Sequence, residues 1–351
     1  MSCPPRARDA GFACGSLPAG TLNSIADVPG VRVGHRTLVD GDIRTGVTAI
    51  VPHGGNLYRE KPIAAVHVLN GFGKSAGLVQ VEELGTLETP ILLTNTLSVG
   101  TCCTALVRHA VENNPDIGRE TATVNPVVFE CNDGYLNDIQ ALAVTEADAR
   151  AALERASPQF EGGSVGAGCG MSTFGFKGGI GSSSRRLDLD GRSFHLGVLV
   201  LSNFGRPGDL RLPGGKVVGP SKAAMDEKAA EKGSIIIIAA TDIPLTDRQL
   251  KRVIRRSGVG LARLGAFWGH GSGDIALGFT TANILFHDEK ADLVNLRILN
   301  ECRIDRLFEA MADATQEAVL DALVAAGSMT GRDGHHRPGL VGALKSLTTE
   351  T

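Results

Sequence analysis

Residues 233–240 read GSIIIIAA. Four consecutive isoleucines followed by two alanines show no alternation of apolar and polar positions. A half-buried strand would alternate. These residues therefore predict a strand covered on both faces, at the middle of a layered, mixed α/β domain. The residues just upstream have the opposite character. Positions 205–232 carry Pro207, Pro213, Gly214, Gly215 and Pro220, then a charged, alanine-rich run over 221–232. That composition predicts an exposed connection. It ends abruptly at Gly233-Ser234, where the most apolar strand begins.

Working outward, apolar runs at 47–51, 63–69, 91–94 and 197–201 predict further strands. Three helices are legible. One covers 146–156. A second opens after Thr246, with Gln249 three residues on as in a capping box, and places Leu250, Val253, Ile254, Ser257 and Leu261 on one face. A third covers 304–326, with Leu307, Phe308, Met311, Val319 and Leu323 inward. The chain has 351 residues, 42% of them hydrophobic and only 4% aromatic, so its core rests on Ala, Val, Leu and Ile. The 45 glycines exceed the usual share of about 7% and predict many tight turns.

Several functions are excluded on composition. The net charge is -3, and no run of Lys or Arg stands out beyond Lys251-Arg252 and Arg255-Arg256, which sit at helical spacing; this argues against a nucleic-acid partner. No run of 18 apolar residues predicts a membrane span. Residues 1–17 lack the apolar core of a signal peptide. The seven cysteines form no CxxC, so neither a disulfide framework nor a zinc site is expected. His335-His336 is an isolated pair, HExxH is absent, and no metal or other cofactor is expected. The reading is of a cytoplasmic enzyme with reduced thiols.

Gly233-Ser234 can do chemistry. A serine hydroxyl can attack the carbonyl of the residue before it, turning the amide into an ester that water opens. Glycine can take a strained backbone at low steric cost. The freed serine then owns an α-amine of pKa near 7.7–8.0 beside its hydroxyl, a base poised for neutral pH. The pair alone is a weak signal, because Gly-Ser recurs at Gly15-Ser16 and Gly181-Ser182, among others.

Ordered segments along the chain add weight: 23–35 (NSIADVPGVRVGH), 45–55 (TGVTAIVPHGG), 69–73 (LNGFG), 89–100 (TPILLTNTLSVG), 125–138 (NPVVFECNDGYLND), 163–170 (GSVGAGCG), 197–205 (GVLVLSNFG), 233–245 (GSIIIIAATDIPL) and 269–274 (GHGSGD). In these the chain resembles the L-aminopeptidase/D-esterase (DmpA-like) family, which includes the β-peptidyl aminopeptidases. The resemblance implies a four-layer α-β-β-α sandwich of the self-processing DmpA/ornithine acetyltransferase-like type. It implies one hydrolase domain over 1–351, cleaved into 1–233 and 234–351, acting on a small peptide or amide as a homo-oligomer, a tetramer in family members.

The resemblance also assigns residues. Ser234 is the nucleophile, freed by cleavage after Gly233. Ser272 and Asp274 support it through hydrogen bonds; some members carry Glu at the acid position, so Asp274 is a shorter variant. Asn203 contributes to the oxyanion hole, and Glu130 holds the substrate's amino group. Some members use a nearby tyrosine for the oxyanion; the aligned position in this chain is Asn132, with Tyr135 close by, and either or neither serves. Asn95 and the loop 166–170 read either as shaping the pocket or as turn chemistry. His270 receives no role. Cys131 and Cys169, with no His close in sequence, read as buried packing residues.

The expected activity is that of an autoprocessing N-terminal-serine aminopeptidase working through an acyl-enzyme. The alternatives are an acyltransferase resembling ornithine acetyltransferases, an amidase resembling nylon-oligomer hydrolases, and a non-cleaving binding protein on the same fold. The first two of these favour threonine as nucleophile, and Ser234 speaks against them.

Overall fold

The computed structural model describes residues 4–220 and 233–349. The run 221–232, expected to be exposed, lies outside them. In chain order the main elements are β1 (Arg32–Asp40), β2 (Ile43–Val51), β3 (Glu60–Gly71), α1 (Leu78–Leu84), β4 (Ile91–Asn95), α2 (Val99–Asn113), β5 (Val127–Cys131), α3 (Glu146–Glu154), β6 (Ser172–Thr173), β7 (Phe176–Lys177), β8 (Gly179–Leu189) and β9 (Arg192–Asn203). There follow β10 (Leu210–Arg211), β11 (Val217–Val218), β12 (Ser234–Thr241), α4 (Asp247–Ile254), α5 (Ser257–Arg263), β13 (Gly273–Phe286) and α6 (Asp305–Ala325). One sheet runs β1-β2-β4-β5 and a larger one β3-β13-β12-β9-β8.

The side chains of β12 establish the layers. All eight of its residues are buried. Ile235, Ile237 and Ala239 share a cluster with Leu250 of α4, Leu261 of α5 and Leu307, Met311 and Val319 of α6. Ile236, Ile238 and Ala240 share another with Ile91, Leu93, Val127 and Phe129 of the smaller sheet. The far face of that sheet, through Val47, Ala49, Leu92 and Val128, meets Cys102 and Leu106 of α2 and Ala149 and Ala152 of α3. Helices, large sheet, small sheet and helices therefore stack in that order, a four-layer α-β-β-α sandwich with the Ser234 strand inside. Each fully buried isoleucine of β12 contributes about 2 kcal/mol of apolar burial. Among the described residues no helix is long and apolar enough to cross a membrane.

Two expectations need correction. The second helix is broken at Arg255-Arg256 into α4 and α5. Its five expected inward residues are all buried, and the capping box at Thr246 and Gln249 is present. The break lets α5 lie close to α6: a Cβ on Gly260 would sit 2.4 Å from Ala312 O. The upstream connection is also not exposed throughout. Its 205–220 portion holds the β10–β11 hairpin, which buries Leu210, Leu212 and Val218 in the core beside α6 and turns through Gly214 and Gly215 at φ +89° and +87°.

Ile237→Ala removes most of a side chain from the cluster between the large sheet and its helices. It should lower the unfolding free energy by about 3 kcal/mol in chemical denaturation, whereas Val79→Ala on the surface should change it by less than about 0.5 kcal/mol.

Candidate active site

Register brings three strand ends together. Ser234, the first residue of β12, lies opposite Asn203, the last of β9, on one edge and Gly273, the first of β13, on the other. The Gly273 N–H donates to Ser234 Oγ at 3.1 Å. On either side of Gly273, the fully buried Ser272 and Asp274 are joined by a bond from Ser272 Oγ to Asp274 Oδ1 at 2.7 Å.

Asn203 is held at both ends of its amide. Its Oδ1 accepts the Ser172 N–H at 2.8 Å, and its Nδ2 donates to Asn132 O at 2.9 Å. The two contacts demand opposite ends of the group, so its orientation is determined by chemistry.

Glu130 comes from the facing sheet, at the end of β5. It is 3% exposed, accepts the Lys74 N–H at 2.8 Å on Oε1, and takes the Thr96 hydroxyl on Oε2. Thr96 follows Asn95, whose Oδ1 accepts the N–H groups of Leu97 and Ser98 and whose Nδ2 donates to Thr45 Oγ1 at 2.8 Å. Glu130 faces the start of β13 across Gly73, where a Cβ would lie 3.7 Å from both Glu130 Oε1 and the Gly273 Cα. The adjacent Cys131 thiol donates to Ser234 O at 3.4 Å, and burial, reinforced by the Glu130 charge, pushes it well up from the usual thiol range. Cys131 thus ties the two sheets together and is no thiolate nucleophile. Cys169 is buried too.

The structure gives Gly233 a steric reason to be glycine, beside the strained backbone expected for the attack. Its φ lies outside the left-handed region, but a Cβ there would sit 2.1 Å from Asn203 O and 2.6 Å from the Phe204 Cα. Close approach of two main chains excludes any side chain.

Some expected residues stand apart. The Asn132 side chain closes its own turn by accepting the Gly134 N–H at 2.9 Å, and only its backbone carbonyl reaches Asn203. Tyr135 stacks on His335 with ring centres 4.7 Å apart, beneath Arg337 at 3.5 Å. Arg337 in turn reaches Ser172 Oγ at 3.3 Å, so Tyr135 meets Asn203 only through two intermediaries. His270 is exposed, with its ring 6.1 Å from that of Phe72.

Sequence reading missed the Gly273 N–H, Thr96, the Lys74 N–H, Ser172 and Lys177. Three of these, Gly273, Lys74 and Ser172, act through backbone N–H groups and leave no side-chain signal. Lys177, set in the glycine-rich run FKGG, is the one that composition could have flagged.

A buried serine opening the central strand of a four-layer sandwich places the chain among hydrolases of the N-terminal-nucleophile (Ntn) fold. It belongs to peptidase family S58, whose model matches residues 23–337. Two curated relatives are β-peptidyl aminopeptidases (BapA). That of Sphingosinicella microcystinivorans is 38% identical over 94% of this chain and 88% of its own length. That of Sphingosinicella xenopeptidilytica is 37% identical over 93% and 86%. Among solved structures, a protein from Pyrococcus horikoshii OT3 matches with TM-score 0.90 and 46% identity over 98% of this chain and 99% of its own. A Burkholderia β-aminopeptidase matches at 0.88 and 40%, over 98% and 99%. The L-aminopeptidase D-Ala-esterase/amidase of Ochrobactrum anthropi matches at 0.88 and 35%, over 99% and 98%; it is described as a prototype for the serine aminopeptidases and a variant of the Ntn hydrolase fold.

Asp133, two residues after Cys131, is 1% exposed. Burial pushes its carboxyl up to about 7, against hydrogen bonds from Thr45 and Asn137. The unfolded chain releases this proton near 3.8 and the folded chain near 7, so between those values the folded state binds more protons and stability falls as pH rises. Urea denaturation from pH 4 to 7 should show a loss of up to about 4 kcal/mol from this group. Asp133→Asn should flatten that slope.

Proposed function

We propose that the chain cuts itself between Gly233 and Ser234 and then works as an N-terminal-serine aminopeptidase on small peptides, amides or esters. One observation carries the reading: Ser234 opens a fully buried central strand, with its Oγ hydrogen-bonded to the Gly273 N–H and its neighbours across the sheet being Asn203 and Gly273. In the first step Ser234 Oγ attacks the Gly233 carbonyl carbon and its proton passes to the Ser234 nitrogen. The amide becomes an ester, and water hydrolyses it to a Gly233 carboxylate, a free α-amine and the hydroxyl.

In turnover the α-amine takes the hydroxyl proton as Oγ attacks the substrate carbonyl. It then hands the proton to the departing amine, leaving an acyl-enzyme that water resolves. Asn203 Nδ2 spends one hydrogen on Asn132 O and offers the other to the oxyanion. Ser272 donates to Asp274, so its oxygen keeps its lone pairs for the new ammonium. Glu130, buried with two hydrogen-bond donors on it, has acceptor capacity left for the substrate's ammonium. The BapA relatives make β-residues at that end a substrate class to test.

The cysteines among the described residues are free, which accords with the cytoplasm as location. For assembly we favour a homo-oligomer, which the resemblance puts at a tetramer. The support is the segment after β13. There Leu293, Val294, Leu296 and Ile298 are 88%, 55%, 40% and 61% exposed. Among the described residues nothing hydrogen-bonds to 292–296. Such a segment suits pairing with a second copy, because antiparallel pairing would set the Asp292 end of one against Arg297 of the other.

Denaturing gels and intact mass should show pieces 1–233 and 234–351 from the native chain, and only the whole chain, inactive, from Ser234→Ala. Cleavage persisting at that bond in Ser234→Ala would refute self-processing. Separately, hydrogen exchange should find the amides of 292–296 protected, and light scattering should find Leu293→Asp/Leu296→Asp reduced to monomer. An unchanged assembly in that variant would exclude the segment as the interface, and a monomeric native chain would exclude self-association altogether.

A further inference from the structure

Lys177 is fully buried, and no step above uses it. Its ammonium donates to three main-chain carbonyls, those of Gly168 at 3.0 Å, Met171 at 3.0 Å and Gly178 at 2.8 Å. Its three N–H groups are therefore all engaged. Desolvation pulls the group down to about 7, while the three carbonyls, which can only accept, favour keeping the proton on. No carboxylate is hydrogen-bonded to it among the described residues; Asp133 acts on it only through its charge.

A buried ammonium costs several kcal/mol, and a methionine would fill the same space without that cost. What the charge makes possible is the convergence of three carbonyl dipoles on one point, which would repel one another without it. Those carbonyls bracket the loop 168–172 and the β6–β7 hairpin. Met171 is followed by Ser172, whose N–H is the donor on Asn203 Oδ1 at 2.8 Å. The same hairpin ties to β9 through Thr173 Oγ1 and Ser202 Oγ at 2.9 Å. The fit is close on all sides. A Cβ on Gly178 would meet Ser202 O at 2.4 Å, and one on Gly170 would meet Arg44 O at 2.2 Å.

We propose that Lys177 is a positioning residue for the oxyanion hole: its ammonium gathers the loop carbonyls so that the Ser172 N–H orients the Asn203 amide toward the reacting carbonyl. This rests on the reading of Asn203 as the oxyanion donor. Lys177 touches neither substrate nor nucleophile. Its effect is on transition-state stabilisation and not on substrate binding, so it belongs in kcat and in the rate of self-cleavage, with KM unmoved.

The test is a double-mutant cycle with Lys177→Met and Asn203→Ala, followed by hydrolysis of an aminoacyl p-nitroanilide and by the self-cleavage rate of the full chain. Asn203→Ala should lower kcat roughly 100- to 1,000-fold. Lys177→Met should lower it about 10- to 100-fold, with KM within about twofold, as expected of a displaced catalytic group. The double variant should be no slower than Asn203→Ala by more than about twofold, because Lys177 acts through a group already gone. If the two losses multiply, or if Lys177→Met keeps native kcat while Asn203→Ala does not, Lys177 is merely structural and the Asn203 reading stands. If Asn203→Ala keeps native kcat, that reading fails and takes the proposal with it. Should Lys177→Met not fold, Ser172→Pro deletes the relaying N–H while leaving the ammonium in place. Loss of kcat at unchanged KM in that variant supports the relay, and native kcat overturns it.

Discussion

The whole site depends on β12 being pinned on both edges at its first residue. A strand hydrogen-bonded to β9 on one side and β13 on the other, with apolar clusters against both faces, has no room for polar chemistry along its length. Only its N-terminal end is free of that constraint. There the chain places its serine, and the registers Ser234↔Asn203 and Ser234↔Gly273 bring the partner groups to it without any loop having to reach across. The rigidity that a reacting hydroxyl needs comes from the burial that holds the domain together.

Much of the remaining machinery is backbone. The Gly273 N–H meets Ser234 Oγ, the Lys74 N–H meets Glu130, the Ser172 N–H meets Asn203 and the Asn132 carbonyl completes the amide's grip. Backbone groups serve in this way only where chains approach closely. That explains why Gly233 and Gly273 admit no Cβ: one would fall 2.1 Å from Asn203 O, the other 2.8 Å from the Gly73 Cα. The abundance of glycine in the sequence is in part the cost of building a site from main chain.

What was legible in the sequence follows the same division. The two-face-buried strand was readable because IIIIAA has only one satisfactory environment. The capping box at Thr246 was readable because its side chains carry the signal. β8 was not read as a strand, because GIGSSSRRLDL looks polar. In the fold its serines hydrogen-bond main chain, Ser182 to Val198 O and Ser183 to Ala314 O, both at 2.7 Å. Its Arg185 is fully buried against Glu317 at 2.9 Å. Polar residues that find partners inside are invisible to a hydrophobicity pattern. The single helix expected after Thr246 failed differently. Periodicity reports which face is buried, and it cannot report a two-residue break that leaves the same face buried. The site residues came from resemblance, since the pairing that unites positions 203, 234 and 273, and the stacking of sheets that brings up 130, are long-range and leave no local trace.

The contacts of Ser234 also bear on why the enzyme would need a new chain end. Its hydroxyl oxygen receives a hydrogen bond from an amide N–H, a donor that can polarise the oxygen but cannot take its proton. Cys131 meets the residue only at its carbonyl, and its thiol is held protonated by burial. His270, two residues before Ser272, lies out against Phe72. A serine in such a setting has poor prospects as a many-turnover nucleophile while its nitrogen is locked in an amide. One intramolecular attack on the adjacent carbonyl is a different matter, because proximity lowers the barrier, the departing Ser234 nitrogen receives the hydroxyl proton, and a single event can be slow. Releasing the α-amine would then install, within reach of Oγ, a base whose pKa near 8 suits neutral water. On the proposed reading, cleavage would be the means by which a buried strand end acquires its proton acceptor.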